Sequence, residues 1–286
     1  MKPTFSHDLM NSFILWFDNF LLKKADAYKT YTTNFYNYTD DRLGGGKVVY
    51  GSPFKQWVYD KGITGATVPS GVYINNAFVS TGTSGMLFDY DNGRVIFNSG
   101  VSTNLNISGT YSVKELNTYI TNDPEDRIII ENKYEPNNRF TVLSNYIPPY
   151  KPVTPAVFCS MEGITNDPFA YGGEDQTTSR IKAVLLCDSL YQLDGALSVF
   201  SDSLYTVFSQ IPMTSHPIAE FGSVKTGLFP TGYSFDVLDT SYNSQRFFIT
   251  EARSSKIRDN LQKELNPTTY IGFVDFEIKT FRYPRI

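Results

Sequence analysis

Cysteine and histidine are almost missing from this 286-residue chain, which has two of each. Cys159 and Cys187 lie far apart, and Cys187 closes an apolar run, so they read as two reduced, buried thiols and not as a disulfide framework. His7 and His216 have no companions at zinc-ligand spacing. His216 sits between Ser215 and Pro217, with no nucleophile or carboxylate that the sequence can place beside it, and there is no Gly-x-Ser-x-Gly elbow. Long apolar runs are absent too, since none reaches the roughly 18 residues that a transmembrane helix needs. The stretch Phe13-Ile14-Leu15-Trp16-Phe17 is flanked by Asp8, Asp18 and Asn19 with no small-residue cleavage site after it, so it is not read as a signal peptide. Charged residues make up only 19% of the chain, with a net charge of -4. Both halves are mildly acidic, which excludes a polyanion-binding arm. The expectation is a soluble chain made in a cytoplasm.

Aromatic residues are plentiful. The chain has 22 Phe and 20 Tyr within a hydrophobic fraction of 41%, too core-rich for disorder. At 32.3 kDa it has the size of two ordinary domains or one large all-β unit. Leu9, Phe13, Trp16, Phe17, Phe20 and Leu21 recur at three- and four-residue steps, which predicts an amphipathic helix over residues 6–28, capped by Ser6 or Asp8. Its aromatic face is available to dock on a sheet of its own chain or on another subunit. From Tyr28 to Tyr38 the pattern fades into Tyr, Thr and Asn, and Gly44-Gly45-Gly46 marks a turn.

Residues 47–147 read as short strands punctuated by Gly, Pro, Asn and Ser, the pattern of an all-β sandwich or barrel. Asn92-Gly93 between alternating arms predicts a type I′ hairpin, and Asn75-Asn76 a second hairpin. Ile107 to Val113 and Arg127 to Glu131 read as further strands. Pro148, Pro149, Pro152 and Pro155 mark a boundary, because prolines so dense forbid helix and central strand alike. Beyond it, Ile181 to Leu186 reads as a buried strand. Leu190, Leu193, Leu197, Phe200, Leu204, Val207, Phe208 and Ile211 predict one long helix over residues 189–211. A strand at Arg246 to Thr250, a short helix from Ser254 to Leu265 and a last alternating strand through Val274, Phe276 and Ile278 follow. The expected fold class is α+β: an N-terminal helix and linker (1–46), an all-β sandwich-like domain (47–147), and an α+β domain with a long helix packed on a small sheet (156–286).

Candidate chemistry is thin. Asp41 to Val48 resembles a phosphate loop only superficially, since Asp41 replaces the first glycine and Val48 the Mg²⁺-binding hydroxyl. Asp89 to Gly93 lacks the glycine position and closing glutamate of a calcium loop. The acidic clusters around Asp123-Pro124-Glu125-Asp126 and Glu174-Asp175 read as solvated turns, with a glycosidase-like pair as the sharper alternative. The segment from Arg246 onward has a modest basic excess and interleaved Phe247, Phe248, Phe273, Phe276, Phe281 and Tyr283, a composition shared by a stacking surface for single strands and by ordinary alternating strands. Trp57, Tyr59 and Tyr73 are the candidate platforms for a carbohydrate-binding or adhesion module. The tail through Phe281, Arg282, Tyr283 and Arg285 ends on aromatic, basic and apolar residues, as an end pinned either within its own protein or against a neighbour would.

The stretch from Leu87 through Asp89-Tyr90-Asp91-Asn92-Gly93-Arg94 to Phe97, continuing to Gly109-Thr110-Tyr111-Ser112-Val113-Lys114-Glu115, is similar to a hairpin-plus-strand pattern of tailed-bacteriophage virion proteins. The C-terminal half, with one long helix over a small sheet, resembles tail-terminator or neck-ring modules. The resemblance implies a ring-forming neck or head-to-tail connector subunit without catalytic residues, cofactor or metal, located in a virion assembled in the host cytoplasm. Implied partners are copies of itself and neighbouring virion proteins (portal or adaptor, tail tube or sheath), with genomic DNA passing by, no sequence-specific nucleic acid and no membrane. Its expected interface residues are Phe13, Trp16, Phe17 and Phe20 on the helix and Phe281, Arg282, Tyr283 and Arg285 in the tail. The rival is a carbohydrate-binding or adhesion module of a tail or baseplate.

Overall fold

The computed structural model describes residues 4–40, 43, 46–81, 85–98, 101–131, 134–136, 152–219, 222–257 and 269–284. Helix α1 (Phe5–Lys24) carries Asp8 in its first turn and Lys23 and Lys24 in its last, each favourable to the helix dipole. Thr4 is the N-cap, not Ser6 or Asp8, and its N–H donates to His7 Nδ1 at 3.1 Å. Asp8 instead accepts the Met213 N–H at 2.8 Å.

Seven antiparallel strands form a curled sheet in the order β4-β3-β7-β1-β2-β6-β5. They are β1 (Tyr28–Tyr38), β2 (Val48–Gly51), β3 (Gly71–Ile74), β4 (Ala77–Ser80), β5 (Met86–Asp89), β6 (Arg94–Phe97) and β7 (Ile107–Lys114). The Tyr- and Thr-rich stretch that looked patternless is the central strand β1. β-Branched and aromatic residues suit a pleated surface, and only Phe35 on it is fully buried. The Asn75-Asn76 hairpin forms with both asparagines at positive φ, 48° and 68°, as a type I′ turn requires. The Asn92-Gly93 hairpin is different. Asp89 pairs with Arg94, leaving a four-residue loop in which only Gly93 has positive φ. Asp89 explains the change, because its carboxylate accepts the Asn92 N–H (3.0 Å) and Nδ2 (2.8 Å) and widens the turn.

The second sheet has the order β13-β14-β15-β12-β11-β8: β8 (Asn117–Ile120), β11 (Ala156–Pro168), β12 (Asp175–Cys187), β13 (Val207–Ser209), β14 (Arg246–Lys256) and β15 (Tyr270–Arg282). Only β8 runs parallel to its neighbour, β11. A small ladder joins β9 (Glu135–Pro136) to β10 (Val153–Thr154). Residues expected as a strand at Arg127 to Glu131 lie in helix α2 (Glu125–Glu131). It starts on the Pro124 carbonyl, and Arg127 pairs with Asp123 and Glu131 at helical spacing.

The expected long helix is also shorter. Helix α3 (Leu190–Ser201) is capped by Ser189 Oγ, which accepts the Gln192 N–H at 3.2 Å, and it ends at Asp202. Tyr205 takes φ 63°, and the chain then becomes edge strand β13. The apolar spacing runs on past the helix, but Leu204 and Val207 face solvent while Phe208 and Ile211 are buried, so periodicity alone could not see the stop. Ser254 to Lys256, expected as the start of a helix, belong to β14, and 258–265 lie outside the described residues.

α1 and α3 cover one face of the second sheet. Phe17 stacks on Phe200 at 4.2 Å and Trp16 on Phe208 at 5.2 Å, with Phe13 against Phe276 at 5.2 Å. The curled sheet wraps Trp57, which stacks on Tyr111 at 4.4 Å. One continuous apolar cluster joins both regions. A last short helix, α4 (Phe235–Ser241), packs near β13 and α1.

Candidate functional surfaces

The polar groups buried in this fold are the first candidates for chemistry. α1 is buried almost all round, so its polar residues must find partners inside. Asn11 Nδ2 donates to the Ile211 carbonyl (3.0 Å), and Ser12 Oγ accepts the Ile211 N–H (2.7 Å). Asp18 binds Lys114 Nζ through both carboxylate oxygens (2.9 and 2.8 Å) and accepts Thr118 Oγ1 (3.1 Å). Lys114 Nζ also lies 4.7 Å from the centre of the Tyr59 ring. Asn19 Nδ2 donates to Asp60 (2.8 Å), whose carboxylate also accepts the Gly62 and Phe235 N–H groups. Burial pushes the Asp60 carboxyl up, and those hydrogen bonds pull it part of the way back.

Two further clusters follow the same logic. Arg94 bridges Asp89 and Asp40, each at 2.6 Å, and touches the Tyr38 hydroxyl. Burial opposes the guanidinium charge, but Tyr38, Asp89 and Asp40 outweigh it. In the loop beside it, Asp91 is pushed up to about 6, by burial first and then by the Asp89 charge. His216 Nδ1 faces Asn11 Oδ1 at 2.7 Å. Since Asn11 Nδ2 is donating to Ile211 and Pro212, Oδ1 accepts and the imidazole carries its proton on Nδ1. Burial, helped by Lys225, lowers this histidine to about 4. Asp18, Asp60, Arg94 and His216 each tie separate chain segments together through these bonds. Beside α4 lies an open groove of about 490 Å³ lined by Lys61, Phe229, Ser241 and Tyr242 among others, but its lining holds no carboxylate or imidazole to work with the lysine, whose Nζ donates to the Thr231 carbonyl (2.8 Å). Among the described residues no group of three or more His, Cys, Asp or Glu could hold a metal ion, and no helix is long and apolar enough to cross a membrane. Cys159 and Cys187 are free and buried.

No family model and no curated protein matches this chain.

The residues expected at interfaces divide sharply. Phe13, Trp16 and Phe17 are core side chains at 0%, 5% and 0% exposure, so the aromatic face of α1 is spent on its own sheet. That corrects their reading as contacts to a partner: an amphipathic signal shows that a face is covered, not by what. Phe20 is half-buried against Trp16, at 5.1 Å. Phe281 and Tyr283 are exposed. Arg282 turns the other way, its guanidinium 3.9 Å from the centre of the Phe5 ring and its Nε donating to Thr177 Oγ1 (2.8 Å). Arg285 lies outside the described residues, as do Asp41, Arg42, Gly44 and Gly45 of the phosphate-loop look-alike.

The remaining candidates resolve likewise. Phe247 and Phe276 are buried, which removes them from any stacking surface for single strands, and Trp57 and Tyr59 are buried, which removes them as sugar platforms; Tyr73 stays exposed. Glu125 pairs with Lys182, and Arg127 holds Asp123 and Glu131. Sequence reasoning missed Phe169 and the fully exposed Tyr171 at the tip of the β11–β12 hairpin, and it read Phe248 only as part of a composition. Phe169 lies 4.6 Å from Phe281. The signal was there in Pro168-Phe169-Ala170-Tyr171-Gly172-Gly173, where aromatics stand in a turn whose two glycines take positive φ.

Proposed function

We propose that the chain is a non-enzymatic structural subunit of a tailed-phage virion, a ring-forming neck or tail-connector protein of the terminator type that joins head to tail. The observation that carries this reading is the set of exposed rings toward one end of the second sheet: Phe169, 4.6 Å from Phe281 of β15, Tyr171 on the β11–β12 tip, Tyr283 just after β15, and Phe248 on β14 opposite Lys279. Exposed aromatics gathered at the end of a projecting hairpin are what protein interfaces use as anchors, and the occupant fitting them is a second copy of this chain, extended by neighbours above and below such as portal or adaptor and tail tube or sheath. The buried ionisable groups support the same reading, since they are committed to holding segments together. In this account the protein works in the virion after assembly in the host cytoplasm. Negative-stain imaging with mass photometry of the purified protein tests it: rings or a defined oligomer are expected, and a monomer at every concentration would contradict it.

A further inference from the structure

The outward faces of the two sheets differ in chemistry. On the second sheet the face opposite α1 and α3 is covered in part by α2, whose Ile128 and Ile129 pack on Phe158, Val184 and Leu186, and it also carries charge pairs: Lys182 with Glu125 and Glu162, Lys279 with Glu277, and Arg253 with Glu251. That is how a solvated sheet face is ordinarily dressed. The open face of the curled sheet is dressed otherwise. Across β4, β3, β7 and β1 the register places Phe78, Tyr73, Ser108 and Asn34 in one row. Thr110 opposite Thr32 continues it, their hydroxyls in hydrogen-bond contact at 2.8 Å; beyond them Ser112, opposite Thr30, is fully buried and its Oγ accepts the Thr67 N–H (2.7 Å), so the open face ends there. None of these residues is charged.

Two features make this face a platform. Tyr73 and Phe78 are 46% and 54% exposed with ring centres 5.4 Å apart. Phe78 leans over Gly71, where a Cβ would meet its Cζ at 2.6 Å, so the glycine provides the room in which the ring lies along the sheet. Beside the rings the hydroxyl and amide rows repeat at strand spacing, so the row from Phe78 to Asn34 spans roughly 14 Å at about 4.8 Å per strand.

We propose that this face binds a neutral oligosaccharide. Sugar rings offer apolar faces that stack on exposed aromatics and hydroxyls that exchange hydrogen bonds with Thr, Ser and Asn. The lack of any lysine or arginine in the rows disfavours nucleic acid and acidic glycans, which need cations, while the aligned hydroxyls are more polar than the anchors of a protein interface. The site is separate from the aromatic end of the second sheet and does not rest on the assembly reading.

The test is a glycan array followed by titration, using neutral hexose and N-acetylhexosamine oligosaccharides of four or more units, with sialylated and sulfated glycans alongside. The wild type should bind within the neutral set. Tyr73→Ala and Phe78→Ala should each weaken binding about tenfold, Tyr73→Phe should keep it, and Tyr191→Ala, which removes an exposed ring on α3, should leave it unchanged. Thr32→Arg provides a second readout that leaves the rings in place, and it should also weaken binding. The proposal is overturned if no neutral glycan binds, if binding is confined to the acidic glycans, or if the Tyr73 and Phe78 variants bind like wild type. It is equally overturned if those variants change the particle mass, which would mean that a second copy covers the face.

Discussion

Replacing Phe17 by alanine tests whether α1 is core or interface. Phe17 is fully buried, stacked on Phe200 at 4.2 Å and edge-on to Phe276 at 5.9 Å. Truncating a buried phenylalanine costs about 3–5 kcal/mol through lost transfer energy and the cavity left behind, against a total stability of roughly 5–15 kcal/mol for an ordinary protein. The loss should appear in urea titration as a lower midpoint with little change in slope, followed by far-UV circular dichroism and by tryptophan fluorescence. Both probes should move together, because Trp16 and Trp57 lie in one continuous core. A double-mutant cycle with Phe200→Ala should return a coupling of about 0.5–1.5 kcal/mol for the stacked pair. A loss below about 1 kcal/mol accompanied by a changed oligomeric state would refute the argument and return Phe17 to an interface.

Three further outcomes follow from the same contacts. Deleting residues 1–24 should leave the remainder unable to fold, since α1 covers the second sheet; a folded, cooperative product by circular dichroism would contradict this. Lys114→Met, which strands the Asp18 carboxylate without its partner, should cost about 3–5 kcal/mol, whereas Asp18→Leu with Lys114→Met should recover most of the loss; equal losses from both variants in chemical denaturation would show that the charge pair is not the source. His216 is neutral in the fold down to about pH 4 but takes up a proton near pH 6.5 when unfolded, so the unfolded state binds more protons and stability falls as pH drops between those values. His216→Gln should flatten that limb of the stability curve, and an unchanged acid limb would count against the buried neutral imidazole.

Much of the fold was legible because its elements announce themselves locally. The spacing of Leu9, Phe13, Trp16 and Phe17 marks α1, Asn75-Asn76 marks a hairpin, and the alternation through Val274, Phe276 and Ile278 marks β15. What was illegible depended on distant partners. β1 carries few apolar residues and is a strand because β7 and β2 flank it. The end of α3 is set by β14 receiving β13, and the wide turn after β5 by the Asp89 carboxylate. Burial of Phe13, Trp16 and Phe17 could be read in sequence, but whether their cover came from the same chain could not. At the candidate surfaces, Phe281 and Tyr283 were recognised from the composition of the tail. Phe169 joins them only because the β11–β12 hairpin is as long as β15, a relation of register that no local pattern carries.

The claim on which this account turns is that exposed rings at one end of the second sheet join copies of the chain. Sedimentation velocity over a wide concentration range, on the wild type and on a Phe281→Asp, Tyr283→Asp double variant, measures it directly. The account predicts a defined oligomer for the wild type and a folded monomer for the variant. A wild type that sediments as a monomer throughout, or a variant that assembles as the wild type does, would contradict it.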